Sequence, residues 1–502
     1  MSFDKSKSTV KNILFLAIGS MGDVLPFVNL GVGFRRRGYN VIIAANTRFK
    51  NLIESNGLKF REMKWDMQYE WQYTEAGRKM VKYSRNSVLG TPTMINFLKQ
   101  GFLKSYNDAK EVLFDVDFVI LGTASHYMYP ECLSRNIPVA YICFYPYASS
   151  DDFIGACYGQ PFDSLQWLPF NIGSKIWKTI DKIAVLWVSS GLLPIYNQRM
   201  KDLGGAIEKN HIPVLHASNK NLIQISPNPK NPLEVQIDYP YMTVEEEISG
   251  YVPPEDLTNW LNNGNKPIYF GYGSMGSFGN AESRARLWLQ VMDLLPEAHR
   301  AIFSGVNDVH LPELRNAARS GRVYLIGHVP HAWLFTRVVC VVHHGGAGTT
   351  HAVTRAGIPS VVVPHFADQP WWASILHRLG VSPNGGLEVR SLNAETLYKS
   401  ISEVLTDDKI HDLAEQLGKK INEEHKKTPP ILNIVTFIEQ YWNQESDVTI
   451  DDEIIPDSKS NQVEKLILSK SFEVEKNNHI IVPTVTTVIE KLYLNCIFIG
   501  KK

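Results

Sequence analysis

The sequence runs to 502 residues, more than one hydrophobic core normally serves, and predicts two domains of ordinary size. Lys plus Arg and Asp plus Glu each number 51, so the chain lacks the positive field of a non-specific nucleic-acid binder. Its five cysteines (Cys132, Cys143, Cys157, Cys340, Cys496) are scattered and form no C-x-x-C pair, which argues against a disulfide framework and a zinc site and fits a reducing compartment.

Lys5, Lys7 and Lys11 precede the apolar run Ile13 to Ile18, an arrangement that imitates a short signal peptide. No A-x-A-like cleavage site follows, and the run reads as a strand. After it come the turn Gly19-Ser20-Met21-Gly22-Asp23, a helix with Phe27, Leu30, Gly31 and Phe34 on one face, Pro26 near its start and Gly38 as its stop, and a second strand, Val41 to Ala45. This is a βαβ unit. Further strands are predicted at Phe118 to Leu121 and Val139 to Phe144, apolar throughout as in a parallel sheet covered on both faces. The longest apolar stretch, Ile183 to Ile195, is interrupted by Ser189, Ser190, Gly191 and Pro194, so no transmembrane helix is expected.

Between Pro227 and Pro254 six prolines punctuate an acidic stretch that reads as an interdomain linker. A second α/β unit opens with the strand Pro267 to Phe270 and the turn Gly271-Tyr272-Gly273-Ser274-Met275-Gly276, which repeats the Gly-Ser-Met-Gly of Gly19 to Gly22. Strands follow at Val323 to Ile326, Val338 to Val342 and Ser360 to Val363, and a helix around Ile431 to Trp442 closes the ordered part. Residues 1–240 and 241–442 are thus the expected domains, with 443–502 a tail of unassigned role.

The chemistry concentrates in Val341-Val342-His343-His344-Gly345-Gly346-Ala347-Gly348-Thr349-Thr350. A strand there delivers a glycine turn into a helix N-terminus, whose free N–H groups and positive dipole end attract a diphosphate without a metal. A tight strand-to-helix turn is the equally weighted structural reading. No Gly-Lys-Ser/Thr follows, which excludes a Walker site. His343 and His344 point to opposite faces of a strand, so they do not ligate one ion together, and adding His365 leaves too few ligands for zinc. Asp115-Val116-Asp117, a candidate metal triplet, reads instead as a charged strand end. Asp368 and Gln369 follow the strand Ser360 to Val363, where α/β proteins bind ligands, and suit sugar hydroxyls; the competing reading of Asp368 is an N-cap. Asp23 is likewise either a helix cap or a carboxylate facing the crevice as a proton acceptor. The first turn lacks G-x-G-x-x-G, and Asn46-Thr47-Arg48 offers no acidic ribose ligand, which weakens an NAD or FAD reading.

Together these runs resemble the sugar-nucleotide glycosyltransferases of family one, in their sterol glucosyltransferase and glycopeptide-glycosyltransferase branch. Gly19 to Pro26 is similar to that branch's GSRGDVQP, His343 to Thr350 matches its HHGGAGTT, and Ala367 to Trp372 is similar to its GDQPFW. The resemblance spans about Asn12 to Trp442. It implies an α/β GT-B fold of two facing Rossmann-like domains with parallel sheets, the first holding the acceptor and the second the nucleotide sugar. It implies inversion at the anomeric carbon with Asp23 as base, and a donor held by Gly22, Ser274, Val329, His331, His344, Gly346, Ala347, Gly348, Thr349, Asp368 and Gln369. Phe144, Tyr147 and Trp371 are the implied acceptor contacts. The implied co-substrate is a UDP-sugar, with glucose and a sterol as the donor and acceptor pairing, and neither a cofactor nor a metal is expected. Met21 departs from the branch's arginine, Ala352 from the ribose-binding glutamate of many plant members, and the lipid-binding domains of fungal sterol enzymes have no counterpart in this sequence.

The expected location is cytoplasmic. Lys175, Lys178 and Lys182 beside Ile176, Trp177 and Ile183 would form a basic amphipathic helix for peripheral membrane contact. A transferase for another lipid or polyketide, a sugar-nucleotide epimerase of the same fold, and a non-catalytic sugar-nucleotide sensor are the alternatives.

Overall fold

The computed structural model describes residues 11–83, 90–144, 213–225, 231–273, 281–307, 309, 311–365, 368–389 and 391–448. Twelve strands among them form two sheets, every pairing parallel. The first sheet contains β1 (Asn12–Leu16), β2 (Asn40–Asn46), β3 (Lys59–Met63), β4 (Phe118–Gly122), β5 (Val139–Cys143), β6 (Val214–Ala217) and β7 (Glu234–Ile237). Their order is β3-β2-β1-β4-β5-β6-β7. The second contains β8 (Ile268–Gly271), β9 (Ala301–Ser304), β10 (Val323–Ile326), β11 (Cys340–His343) and β12 (Ser360–Val362), in the order β10-β9-β8-β11-β12.

Each sheet reverses its winding once, between β1 and β4 and between β8 and β11, and ligands of doubly wound sheets settle at the carboxyl ends beside such a reversal. The two glycine turns singled out in the sequence lie at these places: Gly19 follows β1, and Gly345 follows β11. The central strands are buried along their lengths because helices cover both faces, as their unbroken apolar runs require.

Local sequence explains the helix that leaves the first turn. Ser20 caps it, and the helix spans Met21–Arg36, so Pro26 lies inside it rather than near its start. Arg35 and Arg36 complement its carboxyl end. Gly33 on this helix touches the last described helix, Pro430–Val448, so closely that a Cβ there would collide with Ile431. Ile434, Val435, Ile438 and Trp442 of that last helix join Phe15, Phe34 and Phe118 in one apolar core. The closing helix therefore follows the second sheet in sequence and covers the first in space.

The stretch read as a linker is more ordered than expected. Residues 234–237 form β7, an edge strand, and Val244–Glu247 form a helical turn with a Thr243 capping box. Asp115 and Asp117 serve the structure: Asn12 donates its backbone N–H to Asp117 Oδ2 at 2.6 Å and its side-chain amide to the Asp115 carbonyl at 3.1 Å. Among the described residues no helix is long and apolar enough to cross a membrane. Lys175, Lys178 and Lys182, and the tail beyond residue 448, lie outside the described residues.

Candidate active site

At the β1 turn, Gly19 adopts a φ of 139°, a backbone region that favours glycine, and a Cβ there would collide with the Asp23 carboxylate. Asp23 Oδ2 accepts hydrogen bonds from the Ser20 backbone N–H at 2.7 Å and the Ser20 hydroxyl at 3.1 Å. Ser20 Oγ in turn accepts from Gly22 N–H, and Ser20 with Asp23 forms a reciprocal capping box. Capping and proton acceptance are compatible, because both bonds to Ser20 end on Oδ2 and Oδ1 remains for other duty. Burial pushes the Asp23 carboxyl up to about 6, against the opposing bonds from Ser20 and the positive charge of Arg48.

The β11 turn is shaped around an imidazole. Gly345 has a φ of 84°, and its backbone N–H donates to His343 Nδ1 at 3.1 Å. The His344 ring lies between two glycines: a Cβ on Gly346 would collide with its Nε2, and one on Gly273 would lie 3.0 Å from its Cε1. Burial, with neighbouring His343, His365 and His331, holds His344 well below the usual imidazole range, so it is neutral at pH 7. His344 Nδ1 has no hydrogen-bond partner among the described residues. Gly346 then caps the helix Ala347–Ala356 without any side-chain bond to its first turn, so no side chain competes for those N–H groups. Ala347, Gly348 and Thr349 make up that turn and remain partly exposed.

Beyond β12, Asp368 occupies the N-cap position of the helix Gln369–Arg378, yet its side chain makes no capping bond. Its Oδ2 accepts from the Trp372 indole N–H at 2.8 Å, and burial pushes its carboxyl up to about 7, with the Asp23 charge adding to the rise. Gln369 is 4% exposed, and its carboxamide oxygen accepts from the His365 backbone N–H at 2.7 Å. His331 stacks on Phe335 at 4.3 Å and is pushed by burial down to about 4; Val329 lies half-buried two residues before it. Trp371 packs edge-on against Trp372 at 4.7 Å. Phe144, expected to line an acceptor, is 4% exposed and meets Phe27 edge-on at 5.1 Å, which makes it part of the first core. Ser274 and Tyr147 lie outside the described residues.

The two turns approach one another around Tyr239. Asp23 and Asp368 each oppose the ionisation of Tyr239, and the Asp23 charge opposes that of Asp368, so the two carboxylates share a poorly solvated space. Tyr239, just beyond β7, closes the near side. Its hydroxyl would lie 3.1 Å from a Cβ on Gly348, and its ring stacks on His351 at 4.6 Å.

His351 has no part in the sequence reading, although it directly follows the glycine motif. Its Nδ1–H donates to the Ala347 carbonyl at 2.7 Å, while Nε2 accepts from the Asn219 backbone N–H at 3.3 Å, and its ring meets Trp372 edge-on at 4.9 Å. The neutral ring thus joins the segment after β6 to the helix at the glycine turn, and burial favours that state by pushing His351 down to about 4. His425 with Asp238 at 2.7 Å adds a further tie between the halves.

Asp368 also ties stability to pH. Its folded value of about 7 exceeds the reference 3.8, so the folded state binds the extra proton. The associated stability is fully present below the reference value and is lost as pH rises through about 7. Asp368→Asn keeps an oxygen for Trp372 but removes the buried charge. Its melting temperature by calorimetry should exceed that of the parent by roughly 2 °C at pH 8 and by less than half as much at pH 5; equal melting at both pH values would contradict the assigned burial.

Two family models match the chain: the glycosyltransferase family 28 N-terminal domain over residues 13–140, and the erythromycin biosynthesis protein CIII-like C-terminal domain over residues 289–438. The chain is 28% identical over 484 residues to a sterol 3-beta-glucosyltransferase of Komagataella phaffii, with 90% of this chain and 37% of the relative covered. It is 27% identical over 429 residues to sterol 3-beta-glucosyltransferase UGT80A2 of Arabidopsis thaliana, with 82% of this chain and 63% of that protein covered. The chain therefore spans less than two thirds of the length of either relative. Among solved structures, spinosyn rhamnosyltransferase SpnG complexed with thymidine diphosphate superposes with a TM-score of 0.56 at 17% identity, covering 86% of this chain and 100% of that one. The chain therefore has the GT-B fold of glycosyltransferases, matches a glycosyltransferase family model in its first half, and is similar over most of its length to sterol 3-beta-glucosyltransferases.

Proposed function

We propose that the protein transfers a hexose, glucose from UDP-glucose, onto the hydroxyl of a sterol with inversion at the anomeric carbon. The observation that carries this reading is the opposition of an uncapped helix N-terminus at Gly346, beside neutral His344, to the Asp23 carboxylate across one crevice. The names of the sterol 3-beta-glucosyltransferase relatives support the acceptor class, and the thymidine diphosphate in a structural neighbour supports a nucleoside diphosphate leaving group.

In this mechanism the acceptor oxygen attacks the anomeric carbon as the bond to the diphosphate oxygen breaks. The acceptor proton passes to Asp23, and the negative charge on the leaving diphosphate is met by the N–H groups of the Gly346 to Thr349 turn and by His344. A carboxyl near 6 is too weak a base to ionise an alcohol beforehand, so the proton moves late, once the attacking oxygen has become acidic. Asp368 and Gln369 hold the sugar hydroxyls, and Val329 and His331 flank the nucleobase.

Incubating the purified protein with UDP-glucose, with and without sterol, tests the proposal. Sterol-dependent UDP release with a hexose added to the sterol by mass spectrometry is the expected result. Conversion of UDP-glucose without acceptor would mean an epimerase, binding without turnover would mean a sensor, and hexose addition to a polyketide alone would move the acceptor class.

A further inference from the structure

Arg48 stands in the short turn Thr47–Phe49 directly after β2, where its side chain reaches the β1 turn. Its Nη2 donates to the Gly19 carbonyl at 3.0 Å, and its Nη1 lies 3.3 Å from Asp66 Oδ1. Asp66 is itself fixed, because the same oxygen accepts from the N–H groups of Gln68 at 2.9 Å and Tyr69 at 3.0 Å as cap of the helix Met67–Tyr73. The guanidinium also rests over the Phe49 ring at 4.6 Å. Asp66 and Phe49 therefore hold Arg48, and Arg48 holds Gly19, the turn residue whose positive φ sets the path of the chain toward Asp23. Ser20 on the same turn, Arg48 from beyond β2, and Tyr239 with Asp368 across the crevice are the polar and titratable groups that face Asp23 among the described residues.

We infer that Arg48 is the positioning residue of the base: anchored on Asp66, it clasps the Gly19 carbonyl, fixes the turn that presents Asp23, and keeps a positive charge beside that carboxylate. The inference rests on the reading of Asp23 as base, and it extends that reading to a residue outside the glycine motifs. Physically, a cation near a partly desolvated carboxylate favours its ionised form, which is the form that accepts a proton. Asp66 contributes by compensating the guanidinium, so the arginine does not bond fully to Asp23 and quench it.

Arg48→Met and Arg48→Lys test this by carbon-13 NMR titration of labelled aspartate carboxyls, with Asp23→Asn assigning the resonance, alongside pH profiles of kcat/KM. In Arg48→Met the Asp23 midpoint should rise from about 6 by roughly one pH unit, and the acid limb of kcat/KM should move with it while KM for UDP-glucose stays constant. Arg48→Lys keeps the charge and should hold the midpoint near that of the parent. A midpoint unmoved in Arg48→Met, with kcat/KM lowered equally at every pH, would reduce Arg48 to a structural role and overturn the inference. The titration needs no turnover and reads the Asp23 carboxyl directly, so it decides the role of Arg48 even if the protein transfers nothing to a sterol, and the two readings fail separately. Thermal melts of both variants establish that the fold being titrated is intact.

Discussion

Asp23→Asn should lower kcat by about a thousandfold while leaving UDP affinity within about twofold of the parent, as measured by single-turnover kinetics and calorimetry. The substitution is conservative toward the fold: an asparagine oxygen can still accept from the Ser20 N–H at the 2.7 Å position that Oδ2 occupies, so the capping box loses little. What disappears is the proton acceptor alone. The diphosphate groups lie on the other half of the crevice, at Gly346 and His344, which is why binding and chemistry should separate. In the parent protein the same carboxyl sets a pH limit. Asp23 is ionised above about 6, so kcat/KM should fall as pH drops through that value, tenfold for each further pH unit. An Asp23→Asn protein that turned over normally would remove this residue from the mechanism.

Gly346→Ala should weaken UDP binding by about a hundredfold and also lower thermal stability. A Cβ at 346 would collide with His344 Nε2, and the ring has little room to yield, because Gly273 backs it so closely that even a Cβ there would lie 3.0 Å from Cε1. The turn must therefore open, carrying with it the N–H groups at the head of the helix Ala347–Ala356. Isothermal titration with UDP checks the affinity and calorimetry the melt. Full retention of UDP binding would mean that the glycine run serves folding only. Gly348→Ala is the milder companion: its Cβ would lie 3.1 Å from the Tyr239 hydroxyl, at the seam between the halves and away from His344.

These expectations depend on features that are legible in the sequence to differing degrees. The central strands β1, β2, β4, β8 and β11 announce themselves as apolar runs because both faces are buried, and the turns after β1 and β11 announce themselves through glycine. The edge strands of the first sheet do not. β3 reads Lys-Phe-Arg-Glu-Met and β7 reads Glu-Val-Gln-Ile, each partly open to solvent, so polar residues break the pattern that marks a strand. β7 is further disguised by the prolines on either side of it.

Site residues divide in the same way. Asp23, His344 and Asp368 lie in or next to recognisable turns, and the structure brings the Asp23 and Asp368 carboxylates within electrostatic reach of one another. Arg48 and His351 act through contacts with distant parts of the chain, Gly19 in one case and Asn219 in the other, and nothing in their neighbours along the sequence reports those contacts. Phe144 is the reverse case. The resemblance implies an acceptor contact there, whereas its position just after β5 packs it against Phe27, and a motif match cannot separate these outcomes. Tyr239 is hidden for a simpler reason, since it falls within the stretch whose prolines read as a connector.

The return of the helix Pro430–Val448 to the first sheet carries a consequence for biosynthesis. As the chain emerges from a ribosome, β1 to β7 are complete once residue 237 is out, but the ground that Ile434, Ile438 and Trp442 will cover stays bare until those residues too have been made. The amino-terminal half must wait, with an oily flank open, while the carboxyl-terminal half is translated and folds in between. Shortening the gene at the codon for Pro429 should therefore yield a nascent product that chaperones retain, even though every strand of both sheets is present.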